Sequence, residues 1–166
     1  MAATFTWNQR YGSSPGTATD LGISGNLFNF KKADDATAAN YSSNPINAGD
    51  HSYEVWLRGK FTGTFNSIGN FQFWRSTNFS PSTGLAISWG QTSAYATPTS
   101  GDSTKATASV PTSDPGAANV GVGANPSGSL SASGFTNYIV LQLDTTTAAA
   151  AGDTSLATFT LNYDES

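Results

Sequence analysis

The chain contains no cysteine, which excludes a disulfide framework, a thiolate nucleophile and any sulfur-ligated metal site. Charge is also scarce, at 11% of residues against roughly 25% in ordinary soluble domains. The seven basic residues are scattered, with no cluster beyond Lys31–Lys32, and the net charge is −4. That balance lacks the basic footprint nucleic-acid binding needs. Long apolar runs are missing too. No window approaches the roughly 18 residues of a membrane span, and the opening MAATFTWNQR has no apolar stretch after a basic region, so no signal peptide is expected. These absences point to a protein made in the cytoplasm and left there, or assembled into a particle there, with neither nucleic acid nor membrane as partner. Beyond residue 100 the only basic side chain is Lys105, against Asp102, Asp114, Asp144, Asp153, Asp164 and Glu165. This acidic third reads more simply as a solubility feature than as a site for a basic partner.

Aromatic residues are plentiful: ten Phe, six Tyr and four Trp in 166 residues. They are enough to build a core, and the length fits one domain, residues 1–166. The clearest pattern is Ser52–Arg75, SYEVWLRGKFTGTFNSIGNFQFWR. From Tyr53 to Phe65 the odd positions are apolar or Gly and the even positions are mostly polar. This is the period-two signature of a half-buried strand. A turn-rich break at Asn66–Asn70 precedes a second alternation, Phe71 and Phe73 against Gln72 and Trp74, which predicts a hairpin. Further strands are expected at Ala3–Trp7, Asn26–Phe30, Gly84–Trp89, Lys105–Val110, Asn137–Asp144 and Leu156–Tyr163. Ile139, Leu141 and Leu143 share one face of their strand, as do Phe159, Leu161 and Tyr163. No window carries a helical period, and the short Ala148–Ala151 run reads as a loop. The expected architecture is an all-β, single-domain antiparallel β-sandwich of jelly-roll or immunoglobulin-like type with long loops. Residues 111–134, rich in Pro, Gly, Ser and Ala, form a loop or arm within it.

Motifs that carry chemistry are weak. His51, the only histidine, stands beside Asp50 but in no nucleophile-elbow context, and reads better as a turn residue at a strand entrance. Glu54 with Asp34, Asp35 or Asp50 would supply a carboxylate pair for glycoside hydrolysis, but a solvated or ion-paired Glu54 beside Arg58 or Arg75 is the simpler reading. Asp34, Asp35 and Asp50 lack calcium-loop spacing, and Gly121-Val122-Gly123 lacks the spacing of a phosphate-binding loop. No catalytic residue, metal or cofactor is expected.

The remaining signal is the face carrying Trp56 and Trp74. If the two strands pair, both indoles lie together near Glu54, Arg58, Lys60 and Gln72. Three readings compete: burial under loops or the second sheet, a protein–protein interface, and sugar stacking. In each, Arg58 and Arg75 would lie over the rings.

Three segments, ATFTWNQRYG (3–12), SYEVWLRGKFTGTF with FQFWRS (52–65 and 71–76), and TNYIVLQLDTTTAAAAGDTSLATFTLNYDES (136–166), resemble small virion structural proteins of tailed bacteriophages. The best-known role of such chains is capsid decoration, or cement. The resemblance spans most of the chain in texture and short strings and carries no site residue over. It implies a non-enzymatic protein on the capsid surface, bound to the major capsid protein and self-associated as a trimer or dimer. The arms Asn8–Ser24, Lys31–Asp50 and Pro111–Gly134 would order on contact with neighbouring subunits. The chosen partner-binding residues are Trp56, Arg58, Trp74 and Arg75 on the hairpin face, with Trp7, Arg10 and Tyr11 as a second group. The alternatives are a carbohydrate-binding or receptor-binding β-sandwich module and a tail structural component.

Overall fold

The computed structural model describes residues 2–166. Nine strands follow in order: β1 (Thr4–Tyr11), β2 (Thr17–Gly22), β3 (Val55–Thr62), β4 (Ile68–Thr77), β5 (Leu85–Thr92), β6 (Ala108–Ser109), β7 (Gly134–Phe135), β8 (Tyr138–Thr145) and β9 (Thr158–Glu165). A seven-stranded antiparallel sheet runs β2-β1-β3-β8-β5-β6 with β7 beside β3, and β4 and β9 form a second sheet. The two pack face to face as the expected all-β antiparallel sandwich. A short 3-10 segment, Ala38–Ser43, interrupts the connection from β2 to β3.

The alternations predict the core well. Val55, Leu57, Phe61, Phe71, Phe73, Ile139 and Leu141 are all buried in one cluster between the sheets, with Phe159, Leu161 and Tyr163 packed against it. Gly59, among the apolar odd positions, leaves room for rings: a Cβ there would lie 3.0 Å from Leu161 and 3.2 Å from Phe5.

Pairing departs from expectation. Ser52–Arg75 is not a hairpin. β3 pairs with β1, β7 and β8, whereas β4 crosses to the other sheet and pairs with β9. Both alternations bury their apolar face, and facing each other across the core achieves this more fully than lying side by side. Trp56 and Trp74 therefore lie on opposite outer faces of the sandwich.

Asn26–Phe30 forms no strand, and of Lys105–Val110 only Ala108–Ser109 pairs. The place beside β1 is taken by β2, from within the segment expected as an arm, and Arg10↔Ala18 and Tyr11↔Thr17 are in register. The other arms are tied down as well. Lys31 is buried, and Val120 and Leu130 join the core from the 111–134 loop. Asn119 does the work of a strand on the edge of β4. Its side chain accepts the Phe73 N–H (2.7 Å) and donates to the Phe73 carbonyl (2.8 Å), and its own N–H donates to the Phe71 carbonyl (3.0 Å). The loop thus satisfies backbone groups that an exposed edge would leave open.

Candidate functional site

The large sheet is far wider than the two-stranded one, so β4 and β9 cover only part of its inner face. At one end the covering is made of connections instead. Residues 23–30, 41–48 and 149–158 close around a cavity of about 960 Å³. Its floor is the inner face of β1, β3, β8 and β5, through Trp7, Leu57, Leu143 and Leu85, and Phe28, Phe30 and Phe159 form apolar walls. Leu85, Leu143, Phe28, Phe30 and Phe159 are only half-buried, although all pack against the core. At the rim stand Ile23, Tyr41 and Leu156, 67%, 36% and 62% exposed, the large apolar side chains that the described residues leave at the surface. Three exposed apolar groups around one opening form a patch, and patches rather than scattered residues mark interaction sites.

The sequence does not single out this site. Its residues come from three connections and five strands, and among the connections only Asn26–Phe30 and the stretch from Leu156 lay in segments with an apolar signal.

The residues it did single out lie elsewhere. Trp56 is fully buried in a second cluster with Tyr138, Val140 and Ala106 on the outer face of the large sheet. The loop after β5 folds over it, and Tyr95 meets the indole edge to face at 5.1 Å. This is burial under a loop, one of the three readings of that face. Glu54 holds the cover in place and is neither solvated nor ion-paired to arginine. Its carboxylate accepts the Trp56 indole N–H (2.9 Å), the Ser103 hydroxyl (2.5 Å) and the Thr99 N–H (3.3 Å). Gln142 completes the seam, donating to the Ser52 and Gly101 carbonyls (2.9 and 2.8 Å) and accepting the Ser103 N–H (3.0 Å). Trp56 is thereby corrected from contact residue to core residue.

Arg58 lies over Phe135 (3.6 Å) and Tyr138 (4.9 Å), and its Nε donates to Asn8 (3.0 Å). Burial lowers its pKa. Trp74 and Arg75 are half-buried on β4, and Arg75 faces the Phe79 ring at 5.7 Å. Neither arginine covers a tryptophan. Trp7 is also corrected: at 7% exposure it is core, between Phe5 (5.3 Å) and Phe73 (6.3 Å). Arg10 stacks on Tyr95 (5.5 Å), whose hydroxyl donates to the Gly12 carbonyl; burial pushes the Tyr95 pKa up. Tyr11 faces Thr19 across the β1–β2 hairpin. The structure brings Arg10 close to the Trp56 cover but gathers the seven chosen residues into no common surface.

Several titratable groups pair with one another. Both ring nitrogens of His51 face carboxylates, Asp144 at 2.8 Å and Asp102 at 3.0 Å. Ser88 donates to Asp144, not to His51, so no serine sits where the imidazole would activate it. Lys31 is buried with its ammonium held by Asp35, Asn40 and the Thr37 carbonyl. Burial opposes ionisation of Asp35, but hydrogen bonds from Lys31, Asn40 and the Thr37 N–H outweigh it and lower its pKa to about 2. Asp34 moves the other way, raised chiefly by burial. Among the described residues no group of three or more His, Asp or Glu side chains converges to hold a metal, and no helix is long and apolar enough to cross a membrane.

No family model, curated protein or solved structure matches the chain significantly.

Proposed function

We propose that the chain is a non-enzymatic virion structural protein that binds the outside of a phage capsid lattice and stabilises it. Its partner is the major capsid protein, and copies associate as trimers or dimers at the particle surface. The observation that carries this reading is the open end of the sandwich, where Ile23, Tyr41 and Leu156 ring an apolar cavity. A surface of this kind gains free energy by being covered, at about 25 cal/mol per Å² of apolar area removed from water. The resemblance of the three sequence segments to tailed-phage virion proteins supplies the particle. The loops expected to order on the lattice are already folded onto the sandwich, so binding would order little chain and lose little conformational entropy.

A carbohydrate-binding role needs exposed aromatic rings. Trp56 and Trp7 are unavailable for stacking and Trp74 is half-buried, which leaves Tyr41 at the rim as the exposed ring among the described residues. The test is to add purified protein to undecorated capsids and measure bound copies by co-sedimentation and resistance to heat or osmotic shock. Saturable binding with raised resistance is the expected result. Bare capsids at saturating protein would overturn the reading, and tryptophan emission that shifts with a glycan would favour the sugar-binding rival.

A further inference from the structure

The walls of the open end have an unpaired backbone. Among the described residues, neither Ile23–Phe30 nor Ala150–Thr154 makes a backbone–backbone hydrogen bond. Leu27–Phe30 nevertheless runs without turn or bend and lies within the segment expected as a strand. Its side chains meet the sandwich, with Phe28 5.7 Å from both Phe159 and Phe30, while its main chain pairs with nothing. A strand-like segment beside a void has the form of a sheet edge awaiting one more strand.

We propose that this end receives an extended, uncharged peptide segment of a binding partner, which pairs its backbone with Leu27–Phe30 and sends alternate apolar side chains between the sheets. Strand addition of this kind draws affinity from main-chain hydrogen bonds and specificity from pockets for every second side chain.

Size, charge and shape select this occupant. From the rise per residue and the spacings between strands and sheets, one sandwich residue occupies roughly 160 Å³, so about 960 Å³ accommodates around six. The lining includes Asp153 but no Lys, Arg or His, so an acidic group would enter without a countercharge and lose its hydration. A second copy docking through the same end would set one concavity against another and leave the space unfilled. A lipid would fill the space but leave the amides of Leu27–Phe30 without partners. The identity of the donor as the capsid protein rests on the function proposed above; the class of ligand does not.

The test pans a displayed library of random heptapeptides on the purified full chain. Selected sequences are synthesised, their affinity is measured by calorimetry, and amide hydrogen exchange is followed along the chain. The enriched peptides are expected to be uncharged with apolar residues at alternate positions, and to slow exchange at Leu27–Phe30 at least tenfold. Ile23→Asp with Leu156→Asp, at side chains 67% and 62% exposed, is expected to weaken binding tenfold or more while leaving the melting temperature unchanged. If the double variant melts lower, the exchange map of the parent chain decides. No enriched family, a charged consensus, or protection confined to other segments would overturn the proposal. Capsid binding at undiminished occupancy by the double variant would overturn the capsid protein as donor while keeping the lattice function. Peptide binding as described with capsids left bare would keep the proposal and overturn the lattice function.

Discussion

A handful of positions decide whether the covers of this sandwich stay closed. Gly90 is one: a Cβ there would lie 2.0 Å from the Lys105 carbonyl oxygen, closer than any packing allows. Gly90→Ala must push away the loop that buries Trp56. It is expected to cost about 1–3 kcal/mol in urea denaturation, the usual range for overpacking, and to shift tryptophan emission to the red. Glu54→Ala tests the same cover from its polar side. It strips an acceptor from the Trp56 indole N–H, the Ser103 hydroxyl and the Thr99 N–H, and losing a buried charged acceptor costs roughly 2–4 kcal/mol in the same assay. The Lys31 cage gives the pH dependence. Asp35 titrates at about 2 in the folded protein, against an ordinary value of 3.8. Its contribution to stability is therefore complete above about pH 4 and lost as pH falls toward 2. Thermal melts from pH 5 to 2 are expected to show this fall. Asp35→Asn, which leaves the Lys31 ammonium without its carboxylate, is expected to melt lower at neutral pH with a shallower fall. The alternation of Ser52–Phe65 made the burial of Val55, Leu57 and Phe61 legible. The cover over Trp56 was not legible, because it is made by residues about 40–50 positions later whose local sequence is ordinary turn composition.

At the scale of elements, period-two patterns found most strands and which face each would bury, but not which strand each would pair with. β3 and β4 are neighbours in sequence and opponents across the core. The connection at 63–67, earlier in the chain than the turn expected at 66–70, is compatible with both arrangements, and the choice falls to the apolar area enclosed. Composition marked 111–134 as a loop but not how far that loop enters the core. Its few apolar residues are spaced so that Val120 and Leu130 reach the core while Asn119 caps the edge of β4. Val120→Ala is accordingly expected to lower stability by roughly 1.5–3 kcal/mol, the transfer and cavity cost of a buried Val, measured by chemical denaturation. In a detached arm the same change would have no effect. Asn26–Phe30 is the converse case. It runs without turn or bend at Leu27–Phe30, but a strand exists only with a partner edge, and the described residues offer it none.

For the whole molecule, the decisive feature is the mismatch between a seven-stranded sheet and a two-stranded one. It leaves one end roofed by connections and lined by half-buried rings. The amino-acid sequence by itself determined the all-β class and the apolar face of each long strand, because alternation is a local property that survives any arrangement of strands. Only the tertiary structure decided the pairing of β3 with β8 rather than β4, the burial of Trp7 and Trp56, and the place where apolar surface remains open. Those outcomes depend on competition among distant segments for the same sheet edges and faces, and no window of sequence contains both competitors.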